Sequence, residues 1–346
     1  MIRAFLKKLT SYRLFLPIAS LILVLLVNMI KTPTFFQLEM RNGVLYGYII
    51  DVINRASELV ILAVGMTLVV AASGGTDISV GAVMAVAGAV CCFVLAGGQR
   101  TVNAYQNPYI LGVLAALLAG ILCGAWNGFL VSKMKIQPMV ATLILFTAGR
   151  GIAQLVTRGQ ITYIRVENFK LLGANIPGVP LPTSIFIAIL VVILTNLLLK
   201  KSALGLYIEA VGVNKNASRL VGIKSDQIIF LVYVFCGLCA GIAGMITTSR
   251  IYSADANNIG LNMELDAILA VALGGNSLAG GRFTLLGSVI GAYTIQALTT
   301  TLYAMGVSAD QIPVYKAIVV VLIVSLQSEE FVRWFSKMQA RRKVVA

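Results

Sequence analysis

The chain has no histidine, and its 346 residues hold 13 acids against 27 lysines and arginines. Without histidine, and with no closely spaced pair of buried carboxylates, a membrane enzyme has no acid–base constellation to work with. No GxxxxGK[ST] occurs, so the chain cannot cradle a nucleotide phosphate as a P-loop does, and any nucleotide-derived work comes from another chain. The five cysteines, Cys91, Cys92, Cys123, Cys236 and Cys239, lie in or beside apolar runs. Cys236 and Cys239 form a CxxC, but no second ligand pair accompanies it, so they read as packing residues and no metal is expected. Charged residues make up 12% of the chain, too few for a soluble protein of this length.

What is present is apolar: 59% hydrophobic residues and a mean hydropathy of +0.92. That composition gives an all-α polytopic membrane protein. The net charge of +14 could suggest nucleic acid, but its lysines and arginines cluster at the N-terminus, near residues 200 to 224 and at the C-terminus, between lipid-length runs. Basic loops beside spanning helices orient a chain in the bilayer, so no nucleic-acid partner is expected. The run from Leu14 to Ile30 is longer than a signal core and lacks a small-x-small cleavage site, so it reads as a retained first helix.

Counting apolar runs against the thickness of a bilayer predicts about ten transmembrane helices. They lie near 14–30, 54–73, 80–97, 109–131, 138–157, 183–199, 226–248, 260–273, 284–305 and 312–327. With the basic N-terminus inside, Lys133, Lys135, the 200–224 loop and the segment from Arg333 to Lys343 all fall inside as well. The whole chain, 1–346, reads as one transmembrane domain with cytoplasmic segments near 1–13, 200–225 and 328–346. The short helix ending at Gly274 begins with Glu264 and Asp266 and is a candidate re-entrant segment.

One motif recurs. Gly74-Gly75-Thr76-Asp77-Ile78-Ser79-Val80-Gly81 is echoed 200 residues later by Gly274-Gly275-Asn276-Ser277-Leu278-Ala279-Gly280-Gly281. Glycine pairs that interrupt membrane helices free backbone groups that hydrocarbon cannot solvate, so such breaks persist where protein or a watery cavity satisfies them. Breaks in corresponding positions of two halves point to a transporter, against the plainer reading of two glycine-rich turns. An even number of crossings separates them, which puts both on the cytoplasmic side. In the basic loop, the stretch 209–223 reads as a compact knob: Asn214 caps a short helix, Ala217 and Ser218 allow close approach, and Gly222 ends it.

Three motifs, GGTDISVG at 74–81, GVNKNASRLVGI at 212–223 and GGNSLAGGRF at 274–283, occur in an order and spacing that resembles the permease subunits of bacterial ATP-binding-cassette importers for monosaccharides, the ribose/xylose/galactose branch. The segments 254–260 and 264–270 look most like the galactofuranose-type permeases. Thr76, Ile78 and Asn276 depart from the commoner pattern. The resemblance implies an inner-membrane permease, with no cofactor of its own, that works by alternating access. It implies a partner ATPase with two fused cassettes that holds Mg-ATP, a second permease subunit, identical or a sister chain, and a periplasmic sugar-binding protein. The knob, through Glu209, Gly212, Asn214, Ala217, Ser218, Arg219 and Gly222, would take the ATPase stroke. Gly74, Gly75, Asp77, Ser79, Gly81, Gly274, Gly275, Ser277, Gly280 and Gly281 would form the gate. An ion-coupled secondary sugar transporter is the alternative, since broken helices also build such sites.

Asp77 is an ionisable residue in a membrane-embedded break, a functional candidate whose rival role is to cap the third helix. Arg150 sits about 12 residues into the fifth run, roughly 18 Å along; Glu58 or Asp266 is its expected partner, with sugar hydroxyls the alternative. Trp126 with Asn127, and Tyr293 with Gln296, are candidate sugar contacts from the middle of the membrane, although packing competes for each. Gly120, Gly124 and Gly128 make two successive GxxxG steps and read as a helix-packing surface.

Overall fold

The computed structural model describes residues 14–41, 43–176 and 178–327. The expected cytoplasmic tails, 1–13 and 328–346, lie outside the described residues. A backbone in hydrocarbon must satisfy its own polar groups, and each apolar run does so as a helix. In chain order these are α1 (Phe15–Lys31), α2 (Tyr48–Ser73), α3 (Val80–Ala96), α4 (Tyr109–Ser132), α5 (Pro138–Val156) and α6 (Thr183–Lys201). Then come α7 (Leu204–Val213), α8 (Lys215–Leu220), α9 (Ser225–Ile251), α10 (Met263–Leu273), α11 (Leu285–Ala304) and α12 (Ile312–Gln327). A helix stands at each of the ten expected positions, with α7 and α8 added in the basic loop. Among the described residues α2, α4, α5, α6, α9 and α11 are long and apolar enough to cross a bilayer.

Short strands sit between helices, and sequence periodicity did not disclose them. β1 (Glu39–Arg41) pairs antiparallel with β2 (Val44–Tyr46), placing Glu39 opposite Tyr46. β3 (Thr101–Val102) runs parallel to β4 (Thr162–Ile164), which pairs antiparallel with β5 (Ser253–Ala254). Because β3, β4 and β5 follow α3, α5 and α9, they gather three helix ends on one face, the sheet face. The opposite, basic face carries Lys133, Lys135, α7 and α8.

Every residue of α2 from Ala56 to Ala72 is buried, against α9, α11, α6 and α10, whereas α4 and α6 expose most of their apolar surface. That contrast makes α2 the axis of the bundle and the outer helices its lipid-facing wall. α4 and α9 press together through glycine: a Cβ on Gly120 would lie 2.5 Å from the Gly237 carbonyl, and one on Gly124 would lie 3.0 Å from the Gly237 Cα. The GxxxG steps are therefore a packing surface, as expected. Cys236 and Cys239 pack on Gly65 of α2, whose added Cβ would be 3.0 Å from the Cys236 Cα.

Two helices begin inside the bundle instead of at its faces. Gly149 of α5, about 16 Å beyond Pro138, packs on Ala82, so α3 starts well above the basic face. Gly81 presses against Gly260 and Glu264 at the start of α10. The chain from β5 to α10 therefore descends without helix from the sheet face to that depth, and α10 completes the path to the basic face. The short eighth span is a half-helix.

Candidate functional site

The two glycine motifs touch. Gly74 ends α2 in a left-handed conformation at φ 62°, and a Cβ there would stand 2.8 Å from the Ala279 carbonyl. Gly280 backs onto Gly74 with 3.0 Å between its notional Cβ and the Gly74 Cα, and the Gly281 N–H donates to the Ala71 carbonyl at 2.9 Å. Both breaks thus lie on the basic face, as the parity of the crossings required. Gly212, at the end of α7, closes the same joint, since any side chain there would collide with the Ala71 carbonyl and approach the Gly281 nitrogen to 2.6 Å. The three motifs, far apart in sequence, meet at one point.

Each break satisfies its freed backbone differently. In the first, the Asp77 N–H points to the Met66 sulfur at 3.4 Å and the Ile78 N–H donates to Thr142 Oγ1 at 3.2 Å. Asp77 Oδ1 accepts the Ser79 N–H at 2.9 Å and the Ser79 hydroxyl at 2.6 Å, and Asn127 Nδ2 donates to Ser79 Oγ at 2.8 Å and to the Asp77 carboxylate at 3.3 Å. Asp77 therefore serves the N–H of the residue that precedes α3, not the first N–H groups within the helix. Gly75 rests on the Pro138 ring. In the second, the Thr284 N–H donates to Asn276 Oδ1 at 2.6 Å, and Asn276 Nδ2 donates to Ser288 Oγ at 2.8 Å and to the Thr284 carbonyl at 3.3 Å. Ser277 Oγ accepts the Ala279 N–H at 3.2 Å, and Gly275 takes φ 75°. A notional Cβ on Gly274 would be 2.5 Å from the Gly287 carbonyl carbon. A hydroxyl pair, Thr67 and Ser288 at 2.6 Å, ties this hairpin to α2.

The knob has the predicted form. Asn214 Oδ1 accepts the Ala217 N–H at 2.9 Å, Ser218 is buried, and Gly222 follows the helix at φ +86°. Asp226, at the start of α9, organises it by pairing with Lys135 at 2.5 Å, with Lys215 at 3.1 Å and with Arg219. Burial pulls the Lys215 ammonium below its usual pKa, and Asp226 opposes that shift. Around these charges Val213, Leu220 and Val221 stand exposed, beside a hollow of about 460 Å³ lined by Glu209, Ala217 and Arg282. Ser73, Gly74, Lys135, Gly212, Lys215 and Ala279 line a further cavity of about 400 Å³ on this face.

On the other side of the joint a polar cavity of about 670 Å³ lies between α2, α9, α10 and α11. Its walls include Asp51, Arg55, Glu58, Thr247, Arg250, Asp266, Gln296 and Thr300. Arg250 pairs with Glu58 at 2.9 Å and donates to the Asn54 side chain at 2.9 Å, while the Thr247 hydroxyl donates to Glu58 at 3.1 Å. Lys316 of α12 pairs with Asp266 at 2.8 Å. A second polar cavity of about 340 Å³, under the β1–β2 hairpin, shares Tyr48 and Asp51 with the first. A polar track therefore runs from the hairpin to the start of α10 and stops above the glycine joint.

Of the candidate sugar contacts, Gln296 lines this cavity. Tyr293 is half-buried against the core, Asn127 is buried on Asp77 and Ser79, and Trp126 is half exposed on α4, away from the cavity. The expected partners of Arg150 are corrected. Glu58 belongs to Arg250 and Asp266 to Lys316, whereas Arg150 donates to the backbone carbonyls of Ala256, Asn257 and Ile259 at 3.0, 3.3 and 2.5 Å. A descending, non-helical segment has carbonyls to spare, and a guanidinium with its fork of donors meets them. Arg250 and Asp226 escaped the sequence reading because each sits at the end of an apolar run, where a charge looks like an ordinary membrane-flanking residue.

The profile of the family described as "Branched-chain amino acid transport system / permease component" matches residues 48–326, the region that contains both glycine motifs and the knob. The chain belongs to this permease family. It is 47% identical to the galactofuranose transporter permease of Escherichia coli K12, over 94% of this chain and 93% of that one. It is 38% identical to the fructose import permease of Bifidobacterium longum, over 99% of this chain and 95% of that one. The ribose import permease of Escherichia coli K12 is 36% identical over 90% of this chain and 92% of its own. No solved structure matches the chain significantly. The permease family and these relatives set an ion-coupled carrier aside, and a permease subunit performs no covalent chemistry of its own.

Proposed function

We propose that this permease is the membrane subunit of an ATP-driven monosaccharide importer in the bacterial inner membrane, with a galactofuranose- or galactose-like sugar as its solute. The observation that carries the reading is the convergence of Gly74, Gly212 and Gly280–Gly281 at one backbone joint between a polar cavity and the basic face. The basic face is cytoplasmic by the positive-inside rule, which places the N- and C-terminal segments there too. On it, the ATPase engages α7 and α8 through the exposed Val213, Leu220 and Val221, the apolar groups a docking surface needs beside its charges. The sheet face receives a periplasmic sugar-binding protein, and a second permease, identical or a sister chain, completes the pathway.

In the mechanism, closure of the ATPase pushes the knob. α7 is packed without slack on Ala71 and Gly281, so the displacement passes directly to the ends of α2 and of the α10–α11 hairpin. The joint parts, and the solute held above it leaves toward the basic face. Rigid-body motion about a few left-handed glycine positions suffices, as in other alternating-access devices. The test is uptake by the complete complex in proteoliposomes: monosaccharide accumulation that requires ATP and survives collapse of the proton gradient supports the reading. Accumulation by the permease alone, or loss of uptake with the proton gradient while ATP persists, overturns it.

A further inference from the structure

The polar cavity has three properties that together define a ligand class. Its volume of about 670 Å³ falls within the range, about 300–1,000 Å³, of small-molecule sites. Its charges are met by opposite ones: Glu58 faces Arg250, Asp51 stands one helical turn from Arg55 on α2, and Lys316 of α12, outside the lining, neutralises Asp266. Between these pairs lie neutral hydrogen-bonding groups, with Thr247, Thr299, Thr300 and Gln296 turned to the cavity and Gln296 Nε2 reaching Thr300 Oγ1 at 3.3 Å. Matched charges give an anion or a cation no net partner, and the hydroxyls, amide and paired carboxylates alternate with the faces of Tyr48, Met84, Leu261, Met263 and Tyr303, a mixed wall that matches the mixed surface of a sugar better than a wholly aliphatic side chain. It suits a neutral, polyhydroxylated solute, whose hydroxyls donate to carboxylates and accept from guanidinium and amide groups. Below the cavity the glycine joint and the Thr67–Ser288 hydroxyl pair block further descent.

We propose that the permease itself binds its solute here, in a saturable, weak site for a neutral monosaccharide built on the Glu58–Arg250 pair and on Thr247, Gln296 and Thr300. The proposal rests on the importer reading and adds a waiting position, and with it a second selection for neutral polyols, inside the membrane subunit. Weakness follows from the walls: Glu58, Arg250, Thr247, Asp266 and Gln296 already have side-chain partners, so at these groups a sugar exchanges bonds instead of gaining new ones.

Thr299 lines the cavity and its hydroxyl bonds the Ile295 carbonyl of its own helix. The reporter is Thr299→Cys in an otherwise cysteine-free complex of both permeases and the ATPase, without receptor, in proteoliposomes. Alkylation by a small charged thiol reagent is timed with D-galactose, D-ribose, D-fructose or L-leucine, and the same vesicles with receptor and ATP are assayed for uptake of each sugar. The transported sugar slows alkylation along a saturating curve, about tenfold at ten times its half-saturating concentration by mass action. Leucine does not, and Gln296→Leu in the reporter background abolishes the protection while leaving the unprotected alkylation rate in place. Uptake without protection, protection that rises without saturating, or equal protection by leucine overturns the site while leaving the importer reading intact. Failure of every sugar to accumulate overturns the importer reading, and protection then still reports the site.

Discussion

The two glycine motifs share their opening glycine pair and their closing glycine, and they are held by opposite means. The copy at 74–81 is satisfied from outside: Met66, Asn127 and Thr142 reach it from α2, α4 and α5, around a buried carboxylate. The copy at 274–281 is satisfied mainly from within, by Asn276 bonding Thr284 and Ser288 of its own hairpin. Both join two helices, the first the 26-residue α2 to α3 and the second an 11-residue half-helix to α11. The difference teaches a division of labour. In the proposed mechanism a break tied to three helices registers their relative movement, while a break that closes on itself moves as a rigid elbow. Gly212 packs on Ala71, one turn before the first, and on Gly281 of the second, so in that mechanism the knob pushes one sensor and one lever at once.

Substitutions separate these roles, and the largest effect belongs where the copies join. Gly212→Val forces a side chain into the Ala71 carbonyl; overpacking of this kind costs about 1–3 kcal/mol or more, and ATP-dependent uptake should fall to background with weakened copurification of the ATPase. Asn276→Ala leaves the buried ends of the elbow unpaired, at about 1–3 kcal/mol for each group, so the melting temperature of the purified permease should drop together with uptake. Asp77→Asn keeps the shape and one acceptor oxygen at the sensor. Its melting curve should stay close to that of the parent while the turnover number falls, and a large loss of thermal stability with normal turnover would reverse the assignment of roles. Thr142→Val removes the acceptor of the Ile78 N–H, at about 0.5–1.5 kcal/mol, together with the hydroxyl's own bond to the Pro138 carbonyl, and should slow uptake mildly with no effect on assembly.

Much of this was legible in the residues. Lipid-length runs located the spans because a bilayer leaves a chain few options, and Asn214 announced its short helix because an N-cap is a local device. The shared side of the two breaks followed from counting crossings. What stayed hidden depends on contacts distant in sequence. Arg150 was assigned an acid because charge suggests charge, yet it serves carbonyls that became free only when residues before Met263 ran downward without helix. The Glu58–Arg250 and Asp266–Lys316 pairs join residues separated by 192 and 50 positions, which no local pattern encodes. Among the sugar-contact candidates Gln296 reached the cavity, while Trp126 turned outward, because apolar periodicity around α4 does not say which side faces lipid.

The central claim is that the joint between the two glycine motifs must part for solute to pass. Ser73 and Ala279 flank it and line the same cavity on the basic face. In a cysteine-free complex, Ser73→Cys with Ala279→Cys can be linked by oxidation and released by a reductant, and ATP-driven sugar uptake measured in both states. The account predicts that uptake is lost in proportion to the linked fraction and returns on reduction, with each single cysteine variant unaffected by oxidant. Undiminished uptake by fully linked permease would contradict it.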